Sequence, residues 1–162
     1  MLGPLEIVVD GEPVSVGGPR MRRLFGSLAL GNGSVRSTDS LIEAVWAEDE
    51  PPDGARRTVM SYVSRLRSAL GEDVVEQIEN GYRLDRSLVE TDVHAFEQLV
   101  ASGQRMFHAG NLPHALALFD EALDLWRGEP LAEFAGEPWA EPERTRLSLL
   151  RLSALEDAFA AR

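Results

Sequence analysis

The alternation of apolar and polar positions near the start of the chain predicts a β-hairpin. Every second residue from Leu5 to Val9 is apolar, which is the period of a strand with one buried face. Asp10 and Gly11 then supply the residue types of a tight hairpin turn. Residues 13–16 are predicted to form the returning strand, so the chain opens with a small antiparallel sheet.

After this hairpin the apolar positions recur at intervals of three and four residues, which predicts three helices. The first helix begins near Arg20, and the second follows an N-cap at Ser37 or Thr38. The third is predicted to run from an N-cap at Asp53 to Leu70. The predicted buried positions of the three helices are Met21, Leu24, Phe25, Leu28, Leu41, Ile42, Val45, Trp46, Val59, Val63, Leu66 and Leu70.

A second hairpin and a mainly helical region complete the predicted order of elements. Two short segments, residues 74–75 and 82–84, flank an acidic turn predicted around residues 79–81, with Asn80-Gly81 as its tight turn or bulge. A linker at residues 85–91 follows, and three helical patterns then run almost to the C-terminus. The first two have the length and the alternation of small and large residues typical of a tetratricopeptide-like helical hairpin. The last is marked by the apolar residues Leu147, Leu150, Ala154, Leu155 and Ala158.

The distribution of charge narrows the classes of partner. The net charge is −11, and all 16 basic residues are arginine. A negative average argues against nucleic acid, because affinity for DNA comes largely from cations placed on phosphates. Residues 54–71 depart from that average with four arginines and no acidic residue. This segment is therefore where an anionic partner would dock.

The composition also excludes several kinds of chemistry. The chain has no Cys and no Lys, so it offers no disulfide, no thiolate metal ligand and no lysine nucleophile. Its three histidines, His94, His108 and His114, do not form a ligand cluster, and no spacing supports a Ser–His–Asp arrangement. We therefore predict that the protein is not an enzyme, binds no metal and needs no cofactor.

The sequence carries no sign of a membrane segment. No apolar run approaches the roughly 18 residues that would cross a membrane. The first residues also lack the basic and apolar segments of a secretory signal. We expect a location in the cytoplasm and no contact with membranes.

The third predicted helix is the most informative feature of the sequence. Its faces away from the apolar stripe carry arginines and small hydroxyl residues. Such a face suits the major groove of DNA, because Arg reaches guanine edges and Ser or Thr reaches bases or phosphates. A charged face exposed to solvent is the alternative interpretation. The order of three helices followed at once by a hairpin favours a winged helix-turn-helix.

Residues 1–86 resemble an OmpR-type winged-helix DNA-binding domain. The run from Arg57 to Leu70 is similar to its recognition helix, and the sequence Gly81-Tyr82-Arg83-Leu84 is similar to its wing. The predicted strands within residues 2–16 are similar to its N-terminal sheet.

Residues 91–162 resemble the N-terminal part of the bacterial transcriptional activator domain. The similarity lies in residues 92–99, 122–131 and 143–157. The two domains in this order are the signature of the SARP-type regulators, which activate secondary-metabolite and cell-wall gene clusters in actinobacteria. The resemblance implies an α+β winged helix-turn-helix followed by an all-α tetratricopeptide-like helical domain. The activator domain of this family is about twice as long as the part present here.

The resemblance implies roles for eight residues in binding double-stranded DNA. Two match positions that face bases in the major groove, Ser61 and Arg65. Five match or adjoin positions that face the DNA backbone: Arg57, Thr58, Tyr62, Ser64 and Arg67. Arg83 matches the cation of the wing, and Arg56 is a further candidate for a phosphate contact.

The resemblance also implies partners beyond a single DNA site. Promoter direct repeats, a homodimer formed through the helical domain, and RNA polymerase at residues 47–54 are the expected ones. Glu76 and Glu79 on the predicted wing would repel phosphates. The alternative function is therefore a protein-interaction adaptor whose winged helix docks protein rather than DNA. A small-molecule sensor is a third interpretation, without a polar site to support it.

Overall fold

The computed structural model describes all 162 residues, and its first hairpin turns where the sequence predicts. Asp10 and Gly11 have φ angles of 51° and 83°, the left-handed conformation that tight hairpin turns require. The paired strands β1 (Val8–Val9) and β2 (Glu12–Pro13) are shorter than expected. Proline lacks the N–H that a longer ladder would use, and Val8 is 58% exposed.

Three helices follow this hairpin, as the apolar periodicity predicts. They are α1 (Pro19–Leu30), α2 (Thr38–Trp46) and α3 (Ala55–Leu70). Ser37 caps α2, because its hydroxyl accepts a hydrogen bond from the N–H of Ser40 at 3.1 Å. The predicted stripes are buried except for Ile42 and Leu70, which are half-buried.

The start of α3 differs from the sequence prediction. The predicted N-cap at Asp53 is wrong, because Gly54 occupies that position and no side chain caps the helix. The hydroxyl of Thr58 donates to the carbonyl of Gly54 at 3.3 Å instead. The first turn of α3 has neither a side-chain cap nor an acidic residue, a combination that favours an anion at this end.

A three-stranded antiparallel sheet completes this part of the fold, in the order β3, β5, β4. Its strands are β3 (Arg36–Ser37), β4 (Val75–Ile78) and β5 (Gly81–Leu84). Strand β3 has only two residues, too few to leave an alternating pattern in the sequence.

The turn of the second hairpin is shifted by one residue from its predicted place. Ile78 pairs with Gly81, so the loop consists of Glu79 and Asn80, and Glu79 takes the positive φ of 50°. The turn thus lies within the predicted residues 79–81, but Asn80-Gly81 is not its central pair. Gly81 is instead the first residue of β5, where a Cβ atom would lie 2.4 Å from the carbonyl oxygen of Arg36. Glycine at this position lets β3 and β5 approach each other.

The rest of the chain is helical. It comprises α4 (Asp92–His108), α5 (Leu112–Asp124), a short 3-10 helix (Ala132–Phe134) and α6 (Glu141–Ala160). Side chains at Thr91 and Asn111 cap the first two helices. Phe96 of α4 and Phe119 of α5 are fully buried. None of the helices has both the length and the apolar composition to cross a membrane.

Helix α6 has apolar residues on two faces. Of the residues that mark it in the sequence, Leu147, Ala154 and Ala158 are buried, whereas Leu155 is 48% exposed. It belongs to a second apolar stripe on the exposed face of α6, formed by Leu149, Leu152, Leu155 and Phe159.

The chain forms two compact units that do not follow its order exactly. The helical unit comprises Met1–Leu5, Thr91–Ala135 and Glu141–Arg162. The winged-helix unit comprises Glu6–Glu90 and Gly136–Ala140. The chain thus leaves each unit and returns to it.

Hydrogen bonds hold the first residues in the helical unit. The N–H of Arg127 donates to the carbonyl of Leu2 at 2.7 Å, and the N–H of Leu131 donates to the carbonyl of Met1 at 2.9 Å. The α-ammonium group of Met1 lies 2.6 Å from the carboxylate of Asp92. The predicted division into residues 1–86 and 91–162 assigns these first residues to the winged helix, so the observed grouping differs there.

Candidate nucleic-acid interface

Helix α3 presents one buried and one exposed face. Val59, Val63 and Leu66 are buried, and they lie at intervals of three and four residues, on one side of the helix. The opposite side carries the exposed residues Arg57, Ser61, Ser64, Arg65 and Ser68. We call these five residues the outer face of α3. It contains arginine and serine and no acidic residue.

Three of the predicted site residues on the outer face have no partner within the protein. The guanidinium group of Arg57 forms no hydrogen bond or ion pair, and neither do the hydroxyl groups of Ser61 and Ser64. All three side chains are exposed. Their donors therefore remain available to an external acceptor.

Arg65 is exposed and oriented by an aromatic neighbour. Its guanidinium carbon lies 5.9 Å from the ring centroid of Tyr62, in a cation–π contact along the helix. No carboxylate pairs with Arg65. The half-buried Tyr62 thus restricts the rotation of Arg65 and leaves its charge uncompensated.

Arg67 has a structural partner. Its Nε and Nη2 atoms both donate to the carbonyl oxygen of Val75, at 2.9 and 2.7 Å. This contact ties the C-terminal half of α3 to β4. Arg67 thus stabilises the packing of α3 against β4, in addition to the DNA-backbone contact that the sequence predicts.

The predicted wing cation is paired with an acidic residue. Arg83 on β5 faces Glu76 on β4 in the register of the hairpin. The Nε atom of Arg83 lies 2.5 Å from Oε2 of Glu76. Glu79 is exposed at the turn. The wing therefore offers an anionic partner much less positive charge than α3 does.

Arg56 is also paired. Its Nη2 atom lies 2.5 Å from Oδ1 of Asp39 on α2, and both side chains are largely exposed. An exposed ion pair of this kind contributes little to stability. Arg56 can therefore exchange Asp39 for a phosphate group at small cost.

Sequence reasoning missed one residue beside the outer face. Met60 is 56% exposed and precedes Ser61 directly. The apolar periodicity assigns buried positions and treats the remaining ones as polar, so an exposed methionine leaves no signal in it.

Two family models match the chain in succession. "Transcriptional regulatory protein, C terminal" matches residues 11–84. "Bacterial transcriptional activator domain" matches residues 91–162. The regulatory protein AfsR of Streptomyces coelicolor is 39% identical over 158 residues, which are 96% of this chain. The two models in this order confirm the predicted resemblance to the SARP-type regulators.

The SARP-type relatives are longer than this chain. The aligned region makes up 16% of AfsR. The regulatory protein DnrI of Streptomyces peucetius is 36% identical over 167 residues, which are 96% of this chain and 61% of DnrI. The chain thus spans less than two thirds of these relatives. Their names are those of regulators.

The fold is shared with a solved SARP-type structure. Mycobacterium tuberculosis EmbR, solved in complex with a low-affinity phosphopeptide, aligns with a TM-score of 0.90 and 32% identity. The alignment covers 99% of this chain and 44% of the EmbR chain. It confirms the predicted fold class, a winged helix followed by a helical domain.

Proposed function

We propose that this protein is a transcriptional regulator that binds double-stranded DNA sequence-specifically, with α3 in the major groove, and that it activates a biosynthetic gene cluster. The observation that carries the proposal is the outer face of α3, where Arg57 and Arg65 are exposed and have no carboxylate partner. On a chain with a net charge of −11, these unpaired cations mark the place where a polyanion is attracted.

The proposed binding mode divides the contacts between backbone and bases. Arg57, Tyr62 and Ser64 contact phosphates and set the register of α3, with Thr58 and Arg67 beside them. Ser61 and Arg65 contact base edges, and Arg65 suits guanine because its fork of donors matches two acceptors. Arg83 contacts the DNA backbone only if its guanidinium group binds a phosphate beside Glu76 or leaves its ion pair with Glu76.

The test begins with selection of bound duplexes from a random DNA library, followed by titration of a recovered duplex. We expect Arg65→Ala to weaken binding by roughly 1–3 kcal/mol and to relax the preference at one base pair. Arg105→Ala is the matched control, because Arg105 is an exposed arginine on α4, outside the proposed interface. Binding should be measured at two salt concentrations, since phosphate contacts weaken as salt rises.

Two results would contradict this proposal. Recovery of no preferred sequence would remove sequence-specific binding altogether. Equal losses for Arg65→Ala and Arg105→Ala would place the DNA elsewhere on the protein. Weaker binding with an unchanged base preference would move Arg65 to the backbone contacts.

We further propose that the helical unit mediates self-association on repeated half-sites. The exposed apolar stripe of α6 supports this, because a contiguous apolar surface of this kind marks an interaction site. A second copy can present the same stripe across a twofold axis. Sedimentation of the wild type against Leu152→Glu tests this, and a monomeric wild type would assign the stripe to another partner.

Contact with RNA polymerase is proposed for residues 47–54, the loop between α2 and α3. Its acidic residues Glu48, Asp49, Glu50 and Asp53 are exposed. They form a surface next to the start of α3 that differs in charge from the outer face. A pull-down with RNA polymerase, in which substitution of these four residues has no effect, would reject the loop as a contact.

One observation favours the adaptor function as a second candidate. The wing is nearly neutralised by the Glu76–Arg83 pair, and Glu79 lies at its turn. A protein partner with a basic surface would fit this hairpin better than a phosphate backbone does. Absence of DNA binding, together with binding of a basic protein that Glu79→Gln weakens, would favour this candidate.

A further inference from the structure

Met60 is an exposed apolar side chain on the helix that carries the proposed DNA contacts. It is 56% exposed, whereas the apolar stripe of α3 is almost fully buried. Because Met60 lies four residues before Ser64 and three after Arg57, it is a neighbour of both on the helix surface. It therefore borders the outer face and is not one of the buried core residues.

The surroundings of Met60 make its chemistry distinct. The exposed residues of α3 are otherwise Arg or Ser, so Met60 is the exposed apolar side chain in a polar, cationic surface. Arginine and serine donate hydrogen bonds to base edges and phosphates. None of them offers an apolar contact. In the major groove, the apolar group that a base pair presents is the C5-methyl of thymine.

We propose that Met60 is a specificity-determining residue that packs against the C5-methyl group of a thymine in the half-site read by α3. The proposal rests on the proposed function, since it requires α3 to enter the major groove. It adds a preference that hydrogen bonds from Ser61 and Arg65 do not supply.

The side chain of methionine suits this contact. It is unbranched, and its polarisable thioether adapts to irregular surfaces. Met60 lies in the N-terminal half of α3 (Ala55–Leu70), the half of a recognition helix that contacts base edges. Covering one methyl group corresponds to about 0.8 kcal/mol, or about a fourfold change in affinity.

The experiment exchanges thymine for deoxyuridine, which removes the methyl group and leaves every hydrogen-bonding atom of the base in place. Each dT of a duplex selected by the wild type is replaced in turn by dU, and the dissociation constant is measured. We expect one replacement in each half-site to weaken wild-type binding about fourfold. We expect Met60→Ala and Met60→Gln to bind the dT and dU duplexes equally.

Leu88→Ala is the matched control, because Leu88 is an apolar side chain that is likewise 56% exposed but lies outside α3. It should keep the wild-type dependence on the methyl group. Thermal denaturation of Met60→Ala should match the wild type, since the side chain is outside the core.

The outcomes separate this inference from the proposed function. If the wild type binds a selected duplex but no dU replacement weakens it, Met60 has no methyl partner and the inference fails alone. It also fails if Met60→Ala retains the wild-type penalty for dU. If no duplex is selected, the proposed function fails and this inference fails with it.

Discussion

At the scale of single residues, the four arginines of α3 divide into two groups. Arg57 and Arg65 keep their charge free of carboxylates, whereas Arg56 is paired with Asp39 and Arg67 with the carbonyl of Val75. The sequence alone does not show which of the four arginines is paired, because the partners of Arg56 and Arg67 lie on other elements. Free and committed cations can therefore be told apart only in the folded structure.

This division predicts that two arginine substitutions on the same helix differ in their effect on the free energy of unfolding. Arg67→Ala removes two charge-assisted hydrogen bonds to Val75, and we expect the free energy of unfolding of the winged-helix unit to fall by about 2 kcal/mol. Arg57→Ala should change it by less than about 0.5 kcal/mol, because the residue is exposed and unpaired. Hydrogen exchange of the α3 amides measures both values.

DNA binding supplies the second measurement on these variants. Arg57→Ala should weaken binding while α3 stays protected from exchange. Equal protection of the α3 amides in Arg57→Ala and Arg67→Ala would show that the contact with Val75 does not stabilise the fold.

At the scale of elements, the spacing of apolar residues predicted the buried faces of the helices well. Caps and turns, which depend on one or two residues, were predicted poorly. The buried stripe of α3 follows from the spacing of Val59, Val63 and Leu66, because burial depends on a face many residues long. The N-cap at Asp53 and the turn at Asn80-Gly81 depended on the conformation of one or two residues. At Gly81 the reason for glycine is the nearby carbonyl of Arg36, a contact that the local sequence does not reveal.

The same limit applies to the candidate site. The resemblance to a recognition helix found the outer face of α3, since the types and order of its residues are present in the sequence. It did not find the pairing of Arg83 with Glu76 or the exposure of Met60. The first depends on strand register, and the second depends on where the neighbouring elements end.

The packing of α4 on α5 predicts that replacing a helical glycine by alanine lowers stability, which is the reverse of the usual effect. Alanine normally stabilises a helix relative to glycine by roughly 1 kcal/mol. A Cβ atom on Gly103, however, would lie 2.6 Å from the ring of Phe119. We expect Gly103→Ala to destabilise the helical unit by about 1–3 kcal/mol, measured by thermal denaturation.

A second substitution tests the cause of this effect. Phe119→Leu in the Gly103→Ala background should recover part of the loss, because a smaller side chain makes room for the added methyl group. A more stable Gly103→Ala protein would mean that the two helices separate easily at this point.

At the scale of the whole molecule, the helical unit depends on a charged contact with the first residue. Burial raises the pKa of Asp92, but hydrogen bonds from the α-ammonium of Met1 and the N–H of Leu2, with help from Arg127, outweigh burial. The net result is a pKa below the ordinary value of 3.8. The ionised carboxylate therefore stabilises the folded state.

The sign of this shift fixes a pH dependence. A lowered pKa contributes stability above the ordinary value, and this contribution is lost as the pH falls through the folded-state value. We expect Asp92→Asn to melt at a lower temperature than the wild type at pH 7, and the difference should shrink below pH 3.8. Melting curves of both proteins from pH 7 to pH 2.5 measure it, and a difference independent of pH would exclude the charge as its cause.

The assignment of Met1–Leu5 to the helical unit has a consequence for biosynthesis. These residues are made more than a hundred residues before Arg127 and Leu131, which bind their backbone. Chains grow at about 5–20 residues per second, so the opening pentapeptide waits for several seconds without its partners. Residues 6–90 of the winged-helix unit can fold in that interval, whereas the helical unit cannot close until Leu131 has been made.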